Sequence, residues 1–146
     1  MRHAILAATL ACLAFVTPVL AQEEVVMDQI EQLQGDSAGF GEAFAKLQDG
    51  FLSDTAADNM AELATYPLNV MVDGKVVPVT DADEFVADFD TLVTQDTQDA
   101  LASQDFADLI VNSDGVGFAN GALWMANICT NDSCTETYWG ITRINN

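Results

Sequence analysis

The sequence predicts an α+β domain in which N-terminal helices pack in the concave face of a curved antiparallel sheet, a cone. Three observations predict it. Apolar residues recur at helical spacing through the first part of the chain. Residues between Phe106 and Asn145 read as strands separated by turns. Two dipeptides, Asp73-Gly74 and Asn120-Gly121, are hairpin signals flanked by apolar runs.

Taken in order, Val26, Ile30 and Leu33 predict a helix from Glu24 to Gln34, which Gly35 can end. Phe40, Phe44, Leu47 and Phe51 form a single helical stripe that lays three aromatic rings on the core. Ser53 or Asp54 is expected to cap a third helix carrying Met60 and Leu63, and Tyr66-Pro67 to stop it, because the residue before proline avoids the helical region. Leu68–Val72 and Val76–Val79 then flank Asp73-Gly74 as a hairpin, with Pro78 marking a short or edge strand. Asp81 and Glu84 resemble a capping box opening a helix whose Phe85, Phe89 and Leu92 share a face. A further helix is expected over about Thr97 to Ser103. Phe106–Asn112, Val116–Ala119, Ala122–Cys129 and Thr135–Asn145 complete the sheet as a meander.

The chain has 146 residues, 23 acidic against 4 basic, a formal charge of -19 and a pI near 4.1. One domain is the prior at this length. The charge excludes the usual nucleic-acid binder, which needs a basic patch, and argues against docking on an anionic membrane. Residues 1–21 read as a secretory signal peptide: Arg2, an apolar run from Ala4 to Val16, Pro18, then Val19-Leu20-Ala21 as the cleavage site. The expected location is therefore periplasmic or secreted, with residues 22–146 as the mature α+β domain and no membrane attachment after cleavage. Cleavage removes His3, the only histidine, and Cys12. Cys129 and Cys134 remain, and in an exported chain that pair reads as a disulfide across a hairpin.

Without histidine, the commonest general base, the Ser-His and Cys-His pairs and most catalytic zinc sites are lost. No metal site and no cofactor is expected. The densest acidic group, around Asp81, Asp83, Glu84, Asp88 and Asp90, lacks the calcium-loop pattern and reads as a solvated face. A buried carboxylate remains a candidate base. Asp108, with Asp105 beside it, is the one to examine, because a strand over Phe106–Asn112 would set Asp108 on one face with Phe106, Ile110 and Asn112. Trp139, Ile141, Arg143 and Asn145 should alternate onto one side of the last strand. Together with Trp124, Tyr66 and Asn112, Trp139 and Arg143 outline an expected pocket for a small acidic or aromatic ligand.

The early helices, the Asp73-Gly74 hairpin, the Asp81–Phe85 helix start and the segment Phe106 to Asn145 together resemble the nuclear transport factor two-like superfamily, the cystatin-like α+β cone. Within it, the chain is similar to small exported bacterial proteins of unassigned activity. The resemblance implies work inside the cone and self-association through the outer sheet face, so a homodimer is one expected assembly. The superfamily's dehydratases depend on histidine, and its isomerases on a tyrosine–carboxyl pair to which neither Tyr66 nor Tyr138 can be matched. The expected function is an acidic small-ligand or protein-binding domain. The alternatives are an isomerase or dehydratase using a pocket carboxylate, and an inhibitor of a basic secreted protein, to which so negative a surface would be steered.

Overall fold

The computed structural model describes residues 19–146. The leader assigned to residues 1–21 thus lies outside the described residues, except that Val19, Leu20 and Ala21 begin helix α1 (Val19–Leu33). Val26 and Ile30 are its buried residues, while Leu33 is exposed. No described helix is long and apolar enough to cross a membrane.

Helix α2 (Ser37–Leu52) starts from Asp36, whose carboxylate accepts the Gly39 N–H at 3.0 Å. The Ser37 N–H donates back to Glu31 at 2.9 Å. Hydrogen bonding from Ser37, backbone first, holds the Glu31 carboxyl below its usual range. The third helix, α3 (Ala56–Leu63), is capped by Thr55, one or two residues later than the expected Asp54 or Ser53. Ser53 closes α2 by donating its N–H to Asp49, Asp54 sits in a left-handed turn with φ 58°, and Thr55 is the N-cap. The reason is close packing: Gly50 is buried against Ala56 and Asn59, so α3 can start only after the chain has turned past α2.

Strand β1 (Ala64–Val72) follows α3 directly. Tyr66-Pro67, expected as a helix stop, lies inside this strand as a cis peptide. Strand β2 (Lys75–Val79) completes the predicted hairpin, pairing Leu68 with Val79 and Val72 with Lys75, and it is an edge strand, as Pro78 requires. The capping signal also holds: Asp81 accepts the Glu84 N–H at 2.9 Å, and Glu84 reaches back to the Thr80 N–H at 2.7 Å. The single helix expected here breaks at Asp88 into α4 (Ala82–Ala87) and α5 (Phe89–Leu92), and α6 (Gln95–Ala102) follows.

The largest departure is at Phe106. Residues Phe106–Asp108 form a 3-10 turn capped by Asp105, and only Ile110–Asn112 is strand, β3. The Phe106 ring packs 5.0 Å from Phe44 and 5.9 Å from Phe40, under the sheet, and this contact draws the segment out of the strand plane. Strand β4 (Gly115–Phe118) is followed by a second 3-10 turn, Ala119–Gly121, in which all three residues have positive φ, in place of a two-residue hairpin. Strands β5 (Leu123–Cys129) and β6 (Thr137–Asn145) end the chain.

Among the described residues six strands form one sheet, ordered β2-β1-β6-β5-β4-β3. The meander from β3 to β6 is antiparallel, but β6 pairs with β1 in parallel, so the sheet is mixed. Thr142 has no partner on β5: Trp124 pairs with Arg143, yet Met125 pairs with Ile141. This bulge reverses the alternation. Trp139, Ile141 and Ile144 are buried, whereas Arg143 is exposed. The expected common side for Trp139, Ile141 and Arg143 is therefore corrected.

The concave side is packed with rings. Phe40 is fully buried, with Phe44, Phe106, Phe118 and Trp139 between 4.9 and 6.2 Å from its centroid. The pocket expected between helices and sheet is the place these rings occupy.

Candidate functional site

The residues expected to share a pocket are dispersed. Trp139 faces the helices, and its indole N–H donates to the Asp36 carbonyl at 2.9 Å. Trp124 lies on the opposite, outer face, its indole N–H bound to the Gly121 carbonyl at 3.0 Å. Arg143 joins it there, the guanidinium carbon 5.1 Å from the indole centroid. Asn112 ends edge strand β3; its carbonyl accepts from the Gln34 amide and its side chain from the Asp114 N–H. Tyr66 is half-buried beside α3, donating to the Ala61 carbonyl at 3.0 Å. Only Trp124 and Arg143 are brought together. Asp108 is exposed on the 3-10 turn, and with Asp105 it lines an open surface cleft beside Ser103, Gln104 and Asn120. It does not share a strand face with Phe106. The sulfurs of Cys129 and Cys134 lie 2.08 Å apart, at disulfide distance, across the loop joining β5 to β6.

Burial, and then the nearby Asp81 carboxylate, push the Tyr66 phenol up to about 12. The sign follows from linkage: the unfolded phenol loses its proton near ~10 and the folded one only near about 12. The stabilisation from Tyr66 is therefore complete below ~10 and is lost as pH rises through about 12. Tyr66→Phe is expected to cost about 1 kcal/mol at neutral pH through the lost hydrogen bond. It should also flatten the alkaline decline in stability, which urea melts at successive pH values would read as a shrinking difference between variant and parent.

A different cluster is assembled by the tertiary fold. The end of α2, the start of α3, and α5 with α6 enclose an open cleft of about 360 Å³. Phe51 and Phe89 supply its apolar surface, and Asp54, Asp90 and Asp99 its charge, beside Gln95 and Gln98. The Gln95 amide donates to Asp99 at 2.8 Å and the Gln98 amide to the Val93 carbonyl at 2.9 Å, which fixes both side chains at the rim. Among the described residues, no three or more His, Cys, Asp or Glu side chains are grouped closely enough to hold a metal ion. Spread carboxylates over aromatic rings suit instead an extended organic cation, whose charge meets carboxylates while its stem lies on the rings. Sequence reasoning missed this cleft because its acids, distant along the chain, share no spacing.

No family model matches this chain, and no curated protein or solved structure matches it either. What the geometry defines is an α+β fold with a curved mixed sheet, helices packed on its concave side, and acidic side chains gathered on the helices and turns.

Proposed function

We propose that this is an exported acidic binding domain of the nuclear transport factor two-like cone that engages a basic protein, inserting a lysine or arginine side chain into the cleft between Phe51 and Phe89. The observation that carries this reading is the contrast between a concave side filled by rings and an outer cleft lined by Asp54, Asp90 and Asp99. A cone that worked on a small molecule inside would need that interior volume. Export is supported by the leader pattern of residues 1–21 and by the cysteine pair at disulfide distance.

Calorimetric titration with hexalysine peptide at low salt tests the reading. Replacing Asp54, Asp90 and Asp99 by Asn together should weaken binding about five- to tenfold, since each rim carboxylate contributes only a fraction of a kcal/mol. The matching replacement of Glu23, Glu24 and Asp28 on α1 should change it less than about twofold. Equal losses in the two triples would mean diffuse charge attraction and overturn the cleft, as would the absence of binding.

A further inference from the structure

None of the six strands contains an aspartate or glutamate; all 23 carboxylates lie in helices, turns and loops. Low strand propensity of Asp and Glu accounts for part of this, but the outcome is a whole sheet face without negative charge on a protein of net charge -19. One row of that face crosses every strand in register: Pro78, Asn69, Arg143, Trp124, Gly117 and Ile110. Beside it runs a second row, Val76, Met71 and Asn145. Between the two rows is an almost wholly apolar dent of about 90 Å³, lined by Met71 and Val76 with Asn69, Arg143 and Asn145.

Arg143 is the unusual member. Lys46 pairs with Glu62, whereas among the described residues neither Lys75 nor Arg143 has a carboxylate within 4.0 Å, and of these two only Arg143 lies on this face, beside an aromatic ring. Its guanidinium lies beside the Trp124 indole instead, and the indole itself lies over Gly117, where an added Cβ would come within 3.0 Å of the ring. The ring contact holds the guanidinium while, among the described residues, no hydrogen bond engages its N–H groups, so part of the ordering cost is met before a ligand arrives. A planar fork of donors matches a carboxylate. One cation beside apolar walls matches one negative charge and an apolar body; a dianion would meet twice the repulsion of the surrounding surface.

We infer that the outer sheet face is a binding site for monocarboxylates with a small apolar body, the carboxylate on Arg143 and the body in the dent against Met71 and Val76. This site lies on the sheet, apart from the helical cleft, and does not depend on it. A second copy is the less favoured occupant: a twofold axis through the middle of the face would set the two Arg143 guanidinium groups against each other.

Benzoate is the probe, added to the ¹⁵N-labelled full chain at constant ionic strength. The Trp124 indole N–H and the Arg143 Nε–H resonances should shift and saturate in about the millimolar range, while the buried Trp139 indole stays put as an internal control. Neutral benzamide should shift them far less, and inorganic phosphate should bind more weakly than benzoate. Arg143→Lys should weaken benzoate severalfold and Arg143→Gln about tenfold or more. Equal response to benzamide, tighter binding of phosphate, or no saturation would overturn the proposal. So would shifts of the same resonances on dilution alone, with a dimer in sedimentation, because the face would then be closed by a second copy. If Arg143→Gln does not fold, the Lys variant and the benzamide comparison still decide the matter.

Discussion

Phe40→Ala is expected to destabilise the protein by about 3–5 kcal/mol, the range for removing a buried ring from a packed core. Phe40 is fully buried, with four rings around it from α2, the Phe106 turn, β4 and β6. Its removal leaves a void that none of these neighbours can fill without giving up its own contacts. Against a total stability of roughly 5–15 kcal/mol, the loss should lower the melting temperature by about 10 °C or more. Phe44→Ala, at a half-buried position of the same stripe, should cost visibly less. Thermal melts of the two variants provide the comparison, and equal losses would show that Phe40 is not the centre of the ring cluster.

Gly115→Ala is the second large effect, and its cause is backbone. Gly115 opens β4 at φ 135°, a conformation that residues with a side chain rarely adopt. An added Cβ would land on the carbonyl oxygen of Met125 in the neighbouring strand. Relief requires β4 to move away from β5, which breaks the pairing of Val116 with Met125. The expected loss is about 2–4 kcal/mol, from strain and ladder hydrogen bonds together. Gly74→Ala makes the control: it has φ 75° but nothing within 4 Å of an added Cβ. It should cost about 1 kcal/mol, from strain alone. Urea denaturation curves of both variants separate the two contributions, and similar midpoints would rule out the collision.

Local signals survived the passage from sequence to structure where the forces are local. Asp73-Gly74 closes its hairpin because both residues accept positive φ. Asp81 and Glu84 cap α4 because both hydrogen bonds form within one turn. The stripe from Phe40 to Phe51 is a helix because its three spacings agree, and Pro78 marks a true edge. Errors came where a distant contact decides. Phe106 alternates correctly for a strand, yet Phe40 and Phe44 hold its ring below the sheet. The bulge at Thr142 leaves no trace in composition, and it alone moved Arg143 away from Trp139. The acidic cleft joins residues from four helices and a turn, so the packing of α2 against both α3 and α6 is what brings it into being.

That unpaired threonine also governs how the chain is fastened at its end. Ile144 turns inward because the parity has been reset, and the last two residues arrive in a position to grip both layers. The Asn146 side chain donates to the carbonyls of Met71 in the sheet and Leu92 in α5, and accepts from the Thr94 backbone. A one-residue irregularity in β6 thus serves as the hinge pin of a latch formed by Asn146, and a deletion at Thr142 would release the latch without touching any of its members.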